Sequence, residues 1–431
     1  MKLIFTTLMS LVSFSALMAQ TKVSALKDGD IYKFAVKETG MHRLDYAFLK
    51  NELKITNLDQ IDPRTLKIYG NGGGRLPESN AVLRADDLTE NAVFIEGEAD
   101  GKFDANDFLL FYAVGADKTV FNYGDHTFSR PKNIYADQTF YYIKVSPSNG
   151  LRVAAQPSVT NTTYTSTTYN DYARYEEDKI NVLASTSCNC TQGGGKDWFG
   201  DFLGTGVTEK NYSDKFSFPN LTSDTMLIRG RFAGASLNTA IFSITVGNQV
   251  VTTDIYAIGG TGPDDTQARD GMISERITPT FSVTSPFSLK VGYNGSKGWL
   301  DYVDLNLRQN LKFNGTPFTF RDTRSLSKMA TNFQVANVNA NTLIWDVSKP
   351  QTPKNQQFTN NGNTANFGAN TEGSLREFAA FDKTGTFLKP TAAVGKIANQ
   401  NLHGIETADL VIVYPKEFEA AAKKLQAHRL K

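Results

Sequence analysis

The feature that most constrains this chain is how often its apolar runs are interrupted. Residues 31–36, 65–69, 92–95 and 108–112 are short alternating or aromatic runs, the pattern of strands. Between them stand Asp62-Pro63, the glycine cluster at 70–74 and Asn122-Tyr123-Gly124-Asp125, turn signals at β spacing. A chain broken this often cannot sustain long amphipathic helices, so strands joined by tight turns are expected. Composition agrees: 29 Phe, 17 Tyr and 3 Trp sit among Thr, Asn and Gly.

At roughly 150 residues per domain, 431 residues predict about three domains. Residues 20–160 read as an N-terminal β domain, closed by the Thr- and Asn-rich stretch at 158–170. Alternation at 214–218, 225–232, 240–246, 287–293 and 300–308 predicts a jelly-roll-like antiparallel β-sandwich over 161–315, with one wet face. Residues 316–395 read as a β-rich connecting region, interrupted by an Asn, Gly and Gln stretch at 355–371. No fixed repeat occurs, which argues against a solenoid or propeller.

The last part, 396–431, changes character. Residues 409–415 form a near-continuous apolar run, the mark of a strand buried on both faces of a parallel sheet. Phe418, Ala421, Ala422 and Leu425 then stand at helical spacing, with basic residues collecting toward the end. One strand and one helix bury no core by themselves. The expected fold class is therefore mainly β, ending in the truncated start of an α/β domain.

Lys and Arg number 45 against 44 Asp and Glu, so no overall basic field favours nucleic acid or anionic lipid. Lys2, the apolar stretch at 3–17 and the small residue Ala19 read as a signal peptide over 1–19, with a mature start at Gln20. The stretch is shorter than the ~20 apolar residues a membrane span needs, and no later segment is that apolar, so export is expected.

Among chemistry-bearing residues, Cys188 and Cys190 lie in a Ser-, Thr- and Gly-rich loop. They read as a redox pair, half a metal site, a nucleophile with His403, or simply two surface thiols or a strained disulfide; no third or fourth ligand stands at metal spacing. His403 precedes the 409–415 run, the wrong end for a site at strand C-termini, which favours a structural role. His42 and His126 fall at ordinary turn or strand positions, and His428 suits a helix C-terminus. The glycine cluster lacks the Lys and Ser or Thr of a phosphate loop, and no nucleophile elbow or His-Glu-x-x-His helix occurs. Lys196, Asp197 and Trp198 could form a ligand surface, although a Trp and Phe pair in a β protein is more often packing.

The best candidate site is acidic. With Glu96 as position 1, Glu98, Asp100, Asp104 and Asp107 fall at positions 3, 5, 9 and 12, with Gly101 at 6 and the Lys102 carbonyl at 7. That is calcium-loop spacing, and a structural calcium ion is the one cofactor it would take. Glu at position 1 and strand-like flanks depart from an EF-hand, and a solvated acidic turn is the simpler reading.

Several segments together carry a resemblance: Tyr69-Gly70-Asn71-Gly72-Gly73-Gly74-Arg75-Leu76-Pro77-Glu78, residues 84–92, residues 97–112, Gly195-Lys196-Asp197-Trp198-Phe199-Gly200-Asp201, Trp345-Asp346-Val347 and residues 408–415. In their order and spacing the chain resembles the N-terminal portion of the gingipain-like cysteine peptidases that serve as type IX secretion system sortases in Bacteroidota. The resemblance implies a surface protease and transpeptidase that removes a C-terminal sorting domain from exported cargo and joins the new terminus to anionic lipopolysaccharide. It implies cargo proteins, outer-membrane attachment-complex proteins and that lipopolysaccharide as partners, with an outer-membrane or cell-surface location. The family's Cys and His would lie beyond Lys431, so no catalytic residue is assigned here and the chain's own status as an enzyme stays open. Two readings from other classes remain: an exported multi-domain β adhesin or carbohydrate-binding protein, and a purely structural envelope component.

Overall fold

The computed structural model describes residues 23–183, 195, 197–262, 265–280 and 287–430. The signal-peptide segment, Cys188, Cys190 and Lys196 lie outside the described residues.

The first unit contains β1 (Asp30–Val36), β2 (Gly40–Asp45), β3 (Leu66–Tyr69), β4 (Glu90–Asn91), β5 (Phe94–Glu96), β6 (Phe108–Ala113), the hairpin of β7 (Val120–Asn122) and β8 (Thr127–Ser129), and β9 (Thr139–Val145). Then come β10 (Ala154–Gln156), β11 (Tyr164–Ser166), β12 (Thr168–Glu176), β13 (Phe202–Gly204), β14 (Glu209–Asn211), β15 (Met226–Ala235), β16 (Ala240–Val246), β17 (Gln249–Ile255), β18 (Arg269–Ile277), β19 (Leu289–Tyr293) and β20 (Lys297–Asn310). The chain continues through β21 (Phe318–Phe320), β22 (Ala330–Val335), β23 (Thr342–Asp346), β24 (Lys354–Gln356), β25 (Thr359–Asn361), β26 (Thr364–Asn370), β27 (Phe378–Asp382) and β28 (Ala392–Ile397) to α1 (Glu419–Arg429).

These strands build three two-layered units, each closed on an aromatic core. In the first, sheet β28-β1-β9-β3-β4 and sheet β2-β6-β5 enclose Phe34, Phe111, Tyr141 and Ile143. In the second, β12-β20-β15-β18 and β14-β19-β16-β17 enclose Phe232, Phe242 and Tyr293, whose rings stack at 4.4 and 4.0 Å. This is the antiparallel sandwich that alternation predicts. The third unit sets β10-β24-β23-β27-β21 against β11-β22-β26-β25 around Phe320, Phe333, Phe367 and Phe378. Its strands come largely from 316–395, which therefore form a sandwich of their own and not merely a connection.

Sheet pairing also crosses the divisions expected from sequence. β10 runs parallel to β24 and β11 parallel to β22, so the polar stretch near 160 supplies strands to the third unit. β28 pairs antiparallel with β1, which returns the chain to the first unit at the division drawn between 395 and 396. Three-residue strands carry too little alternation to be seen locally, and their partners' hydrogen bonds define them.

Two further contacts lock the units together. Every residue of β6 is buried, because its sheet packs on one face against the first core and on the other against Trp345, Phe381 and Phe387. In β8 of the hairpin, the Phe128 N–H donates to Asn306 Oδ1 at 2.6 Å, and its carbonyl accepts from Asn306 Nδ2 at 3.1 Å and from the Arg229 guanidinium. The Arg321 guanidinium lies 4.3 Å over the Phe128 ring. One phenylalanine thus joins all three units.

The C-terminal arm divides its expectations. Helix α1 forms where the spacing predicts, with His428 and Arg429 in its last turn. Residues 409–415 make no strand, and Leu410, Val411 and Val413 are 53, 73 and 92% exposed. A strand exists through its neighbours' hydrogen bonds, and none of the described sheets lends this segment an edge.

Candidate functional site

The densest group of carboxylates forms where one long strand changes partner. β20 pairs with β12 up to Glu176, opposite Tyr302, and with β13 from Phe202, opposite Trp299. On its other side β15 pairs Arg231 with Tyr302 and then Phe232 with Leu300, so Asp301 is the extra residue of a β-bulge. A bulge turns its side chain out of the regular alternation. Here Glu176, Asp178 and Asp301 bring one carboxylate oxygen each to within 4.8 Å of one another.

The electrostatics follow from burial. Asp301 is 6% exposed, and its carboxyl is pushed up to about 7, first by loss of water and then by the charge of Glu176, against the pull of Arg231 and Arg174. Arg231 Nη1 reaches Asp197 Oδ1 at 2.8 Å and Asp301 Oδ2 at 3.3 Å, while its Nη2 meets Asp270 at 3.2 Å. Arg174 Nε binds Glu176 at 2.7 Å, and Lys132 binds Asp178 at 3.2 Å. Hard oxygen donors so close together suit a divalent cation, yet each already has a protein cation beside it. Sequence reading missed this trio, because Asp301 and Glu176 are remote in sequence and the bulge leaves no trace in the alternation.

The acidic loop proposed from spacing lies between β5 and β6 as expected, with Gly101 at φ 78° making the bend. Its carboxylates are not gathered; among the described residues the 176–178–301 trio alone brings three such groups together. Glu98 binds Arg152 Nε at 2.8 Å, and Glu96 faces Lys383 at 4.0 Å. Asp100 accepts the Lys102 N–H at 2.9 Å and Asp104 the Asn106 N–H at 3.1 Å, as loop side chains do in tight turns. Asp107 is buried and accepts the Asp104 N–H at 2.8 Å; burial pushes its carboxyl up, and the charges of Asp104, Asp100 and Glu96 add to the rise. Calcium would have to draw Glu98 from Arg152 and turn Asp107 from that amide.

His403 ties the start of the arm to the first unit. Its Nδ1 is 3.2 Å from Ser24 Oγ and 3.6 Å from Asp87, and its Nε2 is 3.5 Å from Asp86. The Ser24 N–H donates to Asn401 Oδ1 at 2.8 Å, which completes a seam between residues distant in sequence. His42 is buried in β2, and loss of water pushes its imidazole down to about 4. His126 sits in the hairpin turn at φ 57°. The glycine cluster is a backbone crossing: a Cβ on Gly73 would stand 1.8 Å from the Gly115 carbonyl oxygen. Trp198 is half exposed beside Asp197, and its Nε1 donates to the Gly195 carbonyl at 3.0 Å.

Against known structures, this three-unit arrangement has a clear counterpart. PorU from Porphyromonas gingivalis, solved as a dimeric latent protein, matches with a TM-score of 0.76 over 95% of this chain at 20% identity. The chain has a PorU fold. The match spans 37% of the PorU chain, so the whole of PorU is much longer than the shared part. PorU-like architecture thus accounts for the β-rich units. A carbohydrate-binding module of Cellvibrio mixtus lichenase 5A, solved with cellotriose, covers 36% of this chain at 17% identity with a TM-score of 0.15, and a structure of infectious bursal disease virus Gx strain covers 82% at 9% with a TM-score of 0.17. Neither score is high enough to bear on the fold. No protein-family model and no curated protein sequence matches the chain.

Proposed function

We propose that this chain is the N-terminal, non-catalytic region of an exported type IX secretion system sortase. In this reading the three β units hold and shield a cysteine-peptidase domain that removes C-terminal sorting domains from cargo and transfers the cargo to anionic lipopolysaccharide at the outer membrane. The observation that carries the proposal is the PorU match across nearly the whole chain. The arm supports it: Val411, Val413 and Phe418 are exposed apolar side chains on a segment without strand partners, a surface suited to packing against a further α/β layer. In this reading that layer follows the His403 seam, which holds the start of the arm against the first unit. A latent dimer, the state in which PorU was solved, is part of the proposal. Among the described residues no helix is long and apolar enough to cross a membrane.

Deleting the gene in its bacterium tests the reading. Cargo is expected to keep its C-terminal sorting domain and to lack linked lipopolysaccharide, seen by mass spectrometry and by the loss of the modified cargo band. Normal cargo processing in the deletion strain would overturn the proposal.

A further inference from the structure

The glycine crossing builds something the proposed sortase role does not use. Gly73 lies directly against Gly115, and the Gly74 N–H donates to the Ala116 carbonyl at 2.8 Å, so the residues that follow the two glycines come together. A groove of about 380 Å³ opens there, lined by Arg75, Leu76, Lys118, Val120, Pro131 and Tyr135. Its apolar walls face water: Leu76 and Tyr135 are each 72% exposed and Val120 is 47% exposed. Arg75 and Lys118 have no hydrogen-bond or ion-pair partner among the described residues, whereas Glu78, the one carboxylate of the lining, has a contact of its own. Val120 also begins β7, which pairs with β8 alone among the described strands and so presents a free backbone edge. The other strand of the hairpin is held by Asn306 and Arg229, so this edge is displayed on a fixed support.

We propose that this groove binds an extended acidic peptide of a partner protein, added as a strand to the free edge of β7. Backbone amides and carbonyls of the peptide pair with β7, its carboxylates meet Arg75 and Lys118, and its alternate apolar residues rest on Leu76, Val120 and Tyr135. Unpaired cations beside an open strand edge select an acidic sequence, and Pro77 and Pro131, both in the lining, keep competing backbone donors out of the walls. The inference stands independently of the sortase reading.

The test uses the mature chain and a fluorescein-labelled peptide of alternating glutamate and valine, followed by fluorescence anisotropy at about 50 mM salt. Saturable binding is expected, weakened roughly tenfold by R75E/K118E and less by R75Q/K118Q, with unchanged far-UV circular dichroism. A lysine-for-glutamate peptide, and an acidic peptide N-methylated at every second residue, are both expected to fail. Absence of binding, equal binding of either control peptide, or indifference to both double variants would overturn the proposal. So would a groove filled by a second copy of the chain, seen in sedimentation as a wild-type dimer that R75E/K118E disperses while peptide binding is absent.

Discussion

Asp301 shows how one residue escapes the pattern around it. In the sequence it is a polar letter in an alternating strand; the bulge turns it under the sheet beside Glu176 and Arg231. Because its folded-state pKa lies above the ordinary carboxylate value, stability is complete at low pH and is lost as the group ionises on the way through about 7. Asp301→Asn should therefore melt with the wild type near pH 4 and above it at pH 8, by on the order of 2–4 kcal/mol. Thermal denaturation across that range checks this, and parallel pH profiles for the two proteins would contradict it. His42 makes the opposite case, an imidazole placed correctly on a strand whose burial only the packed sheets could set.

Elements were legible where their repeat was long. The alternation of β15, β16, β19 and β20 is visible in the sequence and becomes the sandwich core. The apolar run 108–112 shows no alternation, and β6 proves to be buried on both faces, which is the physical meaning of that run. The glycine cluster was readable as a turn, while its closeness to Gly115 was not. Gly73→Ala should lower stability by more than about 2 kcal/mol in urea denaturation, since backbone and not a movable side chain fills the space. Gly259→Ala, with nothing within 4 Å of its added Cβ, should change it by less than about 0.5 kcal/mol. The calcium-loop spacing was equally clear in sequence, yet spacing alone did not bring the carboxylates of that loop together, because Arg152 and local amides claim them.

At the scale of the whole molecule, Phe128 touches all three units, its backbone held by Asn306 and Arg229 and its ring lying under Arg321. Asn306→Ala leaves the Phe128 N–H and part of its carbonyl without a partner, at a cost of about 1–3 kcal/mol. Differential scanning calorimetry should then show the first unit melting ahead of the others. A single transition that keeps its wild-type shape would mean that β6 against Trp345, and not the hairpin, couples the units.

The order of residues along the chain determined the mainly β character, the antiparallel sandwich and the C-terminal helix, because period, turn chemistry and side-chain shape act over a few neighbours. It also carried enough local resemblance to anticipate a PorU-like architecture. Only the tertiary structure decided that 316–395 close a third core, that 392–397 return to the first sheet, and that Glu176, Asp178 and Asp301 meet. Those outcomes depend on hydrogen bonds and burial between residues far apart in sequence, and such pairings are chosen by which edges and faces remain open after the local elements have formed.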